Sequence, residues 1–504
     1  MSGAGPRQWL GLAVLLLPGI FVSMDMSVLF FALPSLAADL EPTSAQQLWI
    51  ADVYGFLLAG LLITMGALGD RIGRRRLLLM GAAAFGVASI VAACSTSASM
   101  LIAARALLGV GGATLAPSTL ALIRTLFTDA RQRTLAISLW TAGFAGGSLL
   151  GPIIGGLLLE RFWWGSVFLL NVPAMVLLLV LGPILLPEHT NPRAGRFDLL
   201  GVVLSLAAVL LVIHGIKSVA GHGATPTAAL SIVAGVLLGV VFLRRQRHGP
   251  APMIDLALFR RRQFGAAIVT ALFAVFAVLG LSLVSAQYLQ LVLGMRPITA
   301  ALWSAPSFVG MAAGTTIAAV LARRVRPGGV VTGALVLAAG GLALITGVRV
   351  DGGPAILVTG SVAMAAGVGA VVALATDLVL AGAPPERAGS ASALSETGTE
   401  LGGALGMAVL GSVGVAVYRA ELADTMPAGL PPDTAAAARD TLGGAVAAAA
   451  GLPHETGARL TEAANAAYVS GVHVTAMIGA VVLLGVAIVA ATLLRHVPAS
   501  SRSG

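Results

Sequence analysis

The chain has 504 residues, of which 58% are hydrophobic and only 10% charged, and its mean hydropathy is +0.96. Soluble domains are far more polar, so the composition predicts an integral membrane protein. The net charge of +9 does not indicate nucleic-acid binding, because the arginines form short clusters between apolar runs rather than one basic stripe with interleaved aromatic residues. The single cysteine, Cys94, excludes a disulfide framework and a two-thiol metal site.

Apolar runs long enough to cross a bilayer follow one another along the chain. A spanning helix needs about 20 apolar residues. The runs lie near residues 9–33, 48–68, 77–95, 101–124, 134–158, 165–186, 198–217, 227–243, 264–291, 299–321, 329–348, 355–381, 388–418 and 467–494. The first is too long for a signal-peptide core and is expected to stay in the mature protein. The sequence therefore predicts an all-α polytopic membrane protein with fourteen spans.

Arginine is concentrated in alternate turns between these runs. One set of turns holds nineteen arginines: Arg71, Arg74, Arg75, Arg76, Arg124, Arg131, Arg133, Arg193, Arg196, Arg244, Arg245, Arg247, Arg260, Arg261, Arg262, Arg323, Arg324, Arg326 and Arg387. The other set, before the last long loop, holds four basic residues: Arg161, Lys217, Arg296 and Arg349. Because cytoplasmic loops collect Arg and Lys, the first set and both termini are predicted to be cytoplasmic.

Turn lengths and a faint repeat predict how the spans divide. GALGDRIGRRR (66–76) and AVLARRVRPGGVV (319–331) occupy similar basic turns, so we expect six-span bundles at 1–190 and 256–504, joined by two inserted spans at 191–255. One outer loop, 419–466, mixes acids with alanine-rich stretches and predicts an amphipathic hairpin at the outer surface. A gating role and a dispensable excursion remain alternatives for it.

Ionisable residues inside the predicted spans are the main functional candidates, because charge in hydrocarbon is costly. Asp25 lies deep in the first span, Asp52 in the predicted first turn of the second, and Arg105 in the fourth. For Asp52 the alternative is simple stabilisation by the helix dipole. For Arg105 it is snorkelling to the headgroups, although we favour pairing with an acid. Asp377 lies near the predicted inner end of the twelfth span.

Glu396 and Glu400 are four residues apart, which places both carboxylates on one face of the thirteenth span. Two carboxylates close together in a low dielectric do not ionise together easily, so we expect one to retain its proton. The pair is therefore a candidate proton carrier. The alternative is that the helix begins later and that both residues face water.

The turn after the second span carries further candidates. In the turn, Gly66 and Gly73 permit close helix approach and a tight bend, and Asp70 can accept from Arg74, so this cluster is either a state-dependent latch or only a topological anchor. The adjoining Arg71 belongs to the same cluster.

The fifth span carries glycines at intervals of four, Gly143, Gly147, Gly151 and Gly155, which line one face for close packing, with a kink expected at Pro152. Four aromatic residues are candidate contacts for a flat organic cation: Trp49, Tyr54, Trp140 and Trp303. Interfacial anchoring is the alternative for the tryptophans.

Several of these stretches resemble the motifs of one transporter family. GALGDRIGRRRLLL resembles the loop signature of the major facilitator superfamily, RALLGVGGA its fourth-helix motif, and GGSLLGPIIGG the fifth-helix motif of its antiporter branch. MDMSVLFFALP, QLWIADVYGFLLAG and SETGTELGGALG are similar to the fourteen-helix drug:proton antiporters, especially the quaternary-ammonium and dye efflux pumps. The resemblance covers essentially the whole chain.

The resemblance implies a major facilitator fold in the cell membrane and export of lipophilic, often cationic drugs in exchange for protons, conferring multidrug and antibiotic resistance. It also implies that the fifth-helix glycine face separates exchangers from uniporters. Some relatives carry an acid in the tenth span, where LWSAPSFVGMAAG has none. Export of an endogenous metabolite or antibiotic by the same mechanism is an alternative that the sequence barely separates.

Nothing in the sequence predicts an enzyme. The seven histidines include no pair on one helix turn, which argues against haem and metal sites. A G-x-x-x-x-G-K loop is absent, which excludes ATP as the energy source. The expected partners are small molecules, protons and lipid, with a proton gradient in place of a cofactor. We expect a monomer.

Overall fold

A computed structural model describes residues 5–188, 198–248, 258–382 and 388–495. The described helices are α1 (Pro6–Leu40), α2 (Ser44–Ile72), α3 (Arg74–Ala93), α4 (Ala98–Leu126), α5 (Ala130–Arg161), α6 (Ser166–Leu169), α7 (Asn171–Leu185), α8 (Leu199–His222), α9 (Pro226–His248), α10 (Arg262–Gln287), α11 (Pro297–Leu321), α12 (Pro327–Ile345), α13 (Ala355–Gly382), α14 (Ala388–Thr425), α15 (Pro432–Asp440), α16 (Leu442–Ala450) and α17 (His454–Leu493). A 3₁₀ turn precedes α10 and a π-helical turn, Tyr288–Val292, follows it.

Within the described residues, fourteen spans are long and apolar enough to cross a membrane, with α6 and α7 forming one of them. The surface suits lipid, since Leu230, Val309 and Ile488 are each more than 60% exposed. A helix also satisfies its own backbone hydrogen bonds, as hydrocarbon requires. The predicted all-α, fourteen-span fold class is confirmed.

The basic turns meet at one end of the bundle, which we call the basic end. There Arg75 of α3 donates to the carbonyl oxygens of Pro183 and Leu186 at 3.3 and 3.0 Å, and Arg261 donates to that of Gly382 at 2.6 Å. The arginines thus supply donors to carbonyl groups that a helix leaves free at its C-terminus.

Glycine faces bring two helix pairs into close contact. A methyl group added at Gly147 of α5 would overlap the carbonyl oxygen of Ile20 in α1. The same relation holds between Gly402 of α14 and Leu272 of α10. The four-residue spacing in α5 thus lets α1 pack closely, and α5 runs uninterrupted as a helix through Pro152. The pairs α1/α5 and α10/α14 are built alike.

The helices α8 and α9 pack against each other, and α8 also packs against α2 and α14. At the basic end Arg245 donates to Asp198 at 2.8 Å, and this hydrogen bond lowers the pKa of the Asp198 carboxyl. An apolar cluster formed by Phe56 of α2, Ile213 of α8, and Ala404 and Ala408 of α14 joins the three helices. The helix α8 therefore lies over the seam between α2 and α14. The predicted boundaries near residues 190 and 255, and Arg193, Arg196 and Arg387, lie outside the described residues.

The predicted loop 419–466 is largely helical. The helix α14 continues to Thr425, α17 begins at His454, and α15 and α16 form a hairpin between them. The predicted ends were wrong because alanine is the strongest helix former, and because a separate apolar cluster, which includes Tyr418, Leu422 and Leu460, supports the extended helices. We call this side of the bundle the hairpin end.

At the hairpin end, helices from the two halves of the chain contact each other. Asp440 accepts from the backbone N–H and the hydroxyl of Ser44, both at 3.1 Å. Gln290 donates to the carbonyl oxygen of Phe31 at 3.2 Å, and Arg296 lies 3.6 Å from the Glu160 carboxylate. These contacts close the hairpin end between the two bundles.

Candidate functional site

Asp25 and Arg105 form a buried ion pair. The Arg105 Nη1 atom lies 2.5 Å from Asp25 Oδ2, and the two side chains are 1% and 0% exposed. Asn171 of α7 donates to the second carboxylate oxygen at 3.2 Å and lies 3.3 Å from the Ser89 hydroxyl. Both oxygens of Asp25 thus have partners, three helices meet at this carboxylate, and Asn171 links α3 to it. Of the two alternatives for Arg105, the structure shows the ion pair.

Arg105 also ties the pair to α2. Its Nε donates to the carbonyl oxygen of Ile50 at 3.1 Å, and its guanidinium carbon lies 4.7 Å from the ring centre of Tyr54. Tyr54 is fully buried, and its hydroxyl has no hydrogen-bond partner within the described residues. A cationic group over an aromatic face is attracted by the ring quadrupole. Tyr54 therefore contacts a cation that belongs to the protein.

Asp52 forms a second buried pair, with Lys217 of α8. The Nζ atom of Lys217 lies 2.6 Å from Asp52 Oδ1, and the two side chains are 1% and 0% exposed. The same Nζ atom lies 3.7 Å from the ring centre of Trp49. The other oxygen, Oδ2, has no partner among the residues that the structure describes.

Two sequence-based assignments are wrong here. Lys217 does not lie in a turn but inside α8. Asp52 is not in the first turn of its helix, because α2 begins at Ser44, which makes Asp52 its ninth residue. Dipole stabilisation falls off within the first turn, so it does not account for a carboxylate this deep. The Lys217 ammonium group accounts for it instead.

The two ion pairs lie at one level of the bundle. At 1.5 Å per residue, Asp52 and Arg105 are about 12 and 10 Å along their helices from the hairpin end. Arg105 also contacts α2 on either side of Asp52 along the chain, at the carbonyl oxygen of Ile50 and the ring of Tyr54. The four charged residues therefore form one connected group, which joins α1, α2, α4 and the inserted helix α8.

Glu396 and Glu400 lie on α14 beside this group. Both are half-buried, they interact electrostatically with each other, and Glu400 also interacts with Tyr54. One turn beyond Glu400, Ala404 faces Gly55 of α2. The distance from the Ala404 Cβ atom to a methyl group placed on Gly55 is 3.3 Å. Neither glutamate forms an ion pair with another described residue. The thirteenth span begins well before them, so the later-start alternative is wrong.

Three other candidates lie apart from the charged group. Asp377 is exposed near the basic end of α13. Trp303 is 43% exposed on α11. Trp140 of α5 packs against α1, with its Nε1 atom 3.1 Å from a methyl group placed on Gly19. The structure does not bring these three to the ion pairs.

The turn between α2 and α3 is held by local contacts. Asp70 accepts from Arg74 Nε at 2.9 Å and lies 2.6 Å from its Nη2. Gly73 has a φ of +111°, which few residues other than glycine adopt. Glu188, which follows α7, accepts from the backbone N–H of Arg75 at 3.1 Å. Of the other motif residues, Gly66 faces Pro117 of α4, whose Cβ lies 3.8 Å from a methyl group placed on that glycine, and Arg71 is exposed.

Sequence reasoning missed three residues that contact the candidate sites: Lys217, Asn171 and Glu188. Each is a polar residue near a predicted helix end, where hydropathy treats it as a boundary. For Lys217, one signal was available: the apolar run continues past it through Val219 and Ala220 before Gly221, which indicates that the helix does not end at the lysine. Within the described residues, no group of three or more His, Cys, Asp or Glu side chains is arranged for a metal.

Comparisons with known proteins agree with this architecture. A family model described as Major Facilitator Superfamily matches residues 15–407. The multidrug efflux pump LfrA of Mycolicibacterium smegmatis is 44% identical over 491 residues, 97% of either chain. The methyl viologen resistance protein SmvA of Salmonella typhimurium is 36% identical over 92% of this chain and 93% of its own. A crystal structure of an inward-facing bacterial homologue of the human lysosomal transporter Spinster covers 98% of both chains with a TM-score of 0.68 and 17% identity, a likeness of fold.

Proposed function

The chain belongs to the major facilitator superfamily, and we propose that it is a proton-coupled antiporter that exports lipophilic, often cationic compounds. It is a multi-pass membrane transporter and not an enzyme. The relatives LfrA and SmvA, named for multidrug efflux and methyl viologen resistance, support cationic substrates. The exporter acts in the cell membrane with both termini cytoplasmic, and it needs no cofactor.

The observation that carries this proposal is the half-buried pair Glu396 and Glu400. Each carboxylate sits in the membrane span without a paired cation among the described residues, whereas Asp25 and Asp52 are already neutralised by Arg105 and Lys217. Binding a cation near the two glutamates favours their ionised form and releases a proton. Proton binding and substrate binding then oppose each other, which is antiport by linkage.

Alternating access fits the contacts between the bundles. The hairpin end is closed by the Ser44–Asp440 contact and its neighbours. In this cycle the glutamate pair is first accessible from the cytoplasm. Opening of the hairpin end then makes it accessible from the outside. The turn from Gly66 to Arg74 sets the balance between the two states from the basic end.

The direct test is proton movement in reconstituted vesicles. Adding tetraphenylphosphonium, a permanent lipophilic cation, to vesicles with an imposed pH gradient should dissipate the gradient and accumulate the cation. Vesicles carrying the Glu396→Gln/Glu400→Gln variant and protein-free vesicles serve as controls. Cation uptake that is equal with and without the pH gradient would exclude proton coupling.

A further inference from the structure

Lys217 is the only lysine in the chain; the other 29 of the 30 basic residues are arginines. It is also one of the most deeply buried side chains, at 2% exposure, and the only residue of α8 with a permanently charged type of side chain. A charged group in this position is costly and marks a functional site by default. A lysine carries a compact charge on a flexible stem and lacks the fixed fork of arginine, so it suits a contact that is made and released.

The ammonium group of Lys217 lies between an acid and an aromatic ring. The Asp52 carboxylate lies 2.6 Å away on one side and the Trp49 ring centre 3.7 Å away on another. An acid together with an aromatic face is the combination that recognises quaternary ammonium groups. The second carboxylate oxygen has no partner in the described chain, so the site retains an unused acceptor.

An apolar cluster lies beside this pair, at the seam between α2 and α14. Phe56, Ile213 and Ala404 are buried there, and Leu401 and Leu405 pack against them. Such walls suit the lipophilic body of an exported compound. Glu400 lies on the same helix as Ala404, one turn away, so a cation held at Asp52 is close to the carboxylates that we propose to carry protons.

We propose that Asp52 and Trp49 form a binding subsite for the cationic group of an exported compound, and that Lys217 is a tethered cation that occupies this subsite until the compound displaces it. This inference rests on the proposed function and adds the recognition step. Exchange of one cation for another leaves Asp52 paired in both states, so neither state leaves an uncompensated buried carboxylate. A neutral compound carries no charge to replace that of Lys217 and leaves the Asp52–Lys217 pair in place, so the exchange is specific for cations.

The competing explanation is that Lys217 only fastens the inserted helices to α2. A fastening contact stays closed when substrate binds, whereas a tethered competitor must leave. The two explanations therefore differ in the accessibility of one amine during substrate binding.

Acetylation of the wild-type protein measures this accessibility without any substitution. Because the chain has one lysine, its modification by acetic anhydride can be read from one peptide by mass spectrometry, with unfolded protein as the fully modified reference. We expect Lys217 to be protected in the free protein and acetylated at least about tenfold faster at saturating tetraphenylphosphonium, since burial blocks reagent access. Triphenylphosphine oxide, a neutral aromatic compound of similar kind, should not change the rate.

Binding affinities give the second measurement. Lys217→Met should bind tetraphenylphosphonium about tenfold more tightly than wild type, which corresponds to about 1.4 kcal/mol. Lys217→Arg keeps the competing charge and should not gain affinity. Asp52→Asn should lose cation binding both alone and combined with Lys217→Met, and binding of triphenylphosphine oxide should be equal in all variants.

The outcomes separate this inference from the proposed function. If wild-type protein binds and exports tetraphenylphosphonium while Lys217 stays protected and Lys217→Met gains no affinity, the lysine is a fastener and the inference is wrong. If wild-type protein neither binds the cation nor couples its movement to protons, the proposed function fails first. Cation-dependent acetylation together with the gain in Lys217→Met supports the displacement.

Discussion

Arg105 of α4 and Asp25 of α1 lie 2.5 Å apart, between Nη1 and Oδ2, with neither side chain more than 1% exposed. Their partners are the backbone of Ile50, the ring of Tyr54 and the amide of Asn171. This group holds four helices at one level of the membrane. Asp25 is thus already paired with a cation of the protein, so its substitution should affect stability more than substrate recognition.

Asp25→Asn should lower the free energy of unfolding by about 3 kcal/mol, because it leaves the buried Arg105 without its anion. Thermal unfolding in detergent measures the effect. The double variant Asp25→Asn/Arg105→Met should recover part of the loss, since no unpaired charge remains. Glu455→Gln, which breaks an exposed pair with Arg459, is the control and should change stability by less than about 1 kcal/mol. A single Asp25→Asn variant as stable as wild type would contradict this account.

The same variant should lose export of cationic and neutral compounds to a similar extent. An acid that is already neutralised by Arg105 shapes the bundle and does not recognise the substrate charge. Export from cells at matched protein level, for tetraphenylphosphonium and for a neutral aromatic compound, gives the comparison. Loss of export for the cationic compound alone would instead indicate that Asp25 recognises the substrate charge.

Sequence patterns predicted the spans because a helix in lipid needs a long apolar run, and that signal is local. They also identified Asp25 and Glu400 as candidate functional residues, because an acid within an apolar run is easily recognised. They did not predict the partner of Asp52, since Lys217 lies 165 positions away along the chain. Pairing across helices depends on helix rotation and packing, which periodicity does not encode at this distance. The ends of the helices on either side of the alanine-rich hairpin were misplaced for a related reason, because only packing of the hairpin on residues such as Tyr418 and Leu422 extends these helices.

The orientation is testable by cysteine labelling in a Cys94→Ala background. Arg439, exposed on α15, and Arg324, exposed between α11 and α12, lie at opposite ends of the bundle. An impermeant maleimide should label Arg439→Cys in intact cells and Arg324→Cys only after lysis, because basic turns are retained in the cytoplasm. The reverse pattern would invert the proposed topology.

Opening of the hairpin end should require the Ser44–Asp440 contact to break. In a Cys94→Ala background, oxidation of Ser44→Cys/Asp440→Cys should stop export, and reduction should restore it, because the disulfide fastens the first bundle to the hairpin. Glu455→Cys/Arg459→Cys, two positions on one helix, controls for effects of the oxidant. Undiminished export by the cross-linked protein would show that this contact does not gate.

Asp70→Asn should cripple export while leaving the protein in the membrane at normal level, if the turn sets the balance between states. The substitution removes the charge that Arg74 contacts at 2.6 Å. Asp351→Asn, an exposed acid paired with Arg349 in another turn, is the matched control. Full drug resistance in cells that carry Asp70→Asn would show that the turn is only a topological anchor.

The strongest test of coupling is the release of protons when substrate binds. Glu396 and Glu400 share one face of α14 and are half-buried without a paired cation in the described chain, so at least one should hold a proton when no substrate is bound. Tetraphenylphosphonium added to purified protein in weak buffer should therefore release protons, which a pH-sensitive dye detects.

In Glu396→Gln/Glu400→Gln the cation should still bind, because Asp52 remains, but the proton signal should disappear. Glu421→Gln changes an exposed glutamate on the same helix and should release as many protons as wild type. Binding without proton release in the double variant, together with loss of uptake driven by a pH gradient, assigns coupling to the pair. If the double variant still releases protons and still accumulates the cation, then the pair is structural and the proton must be carried by Asp25, Asp52 or Asp377.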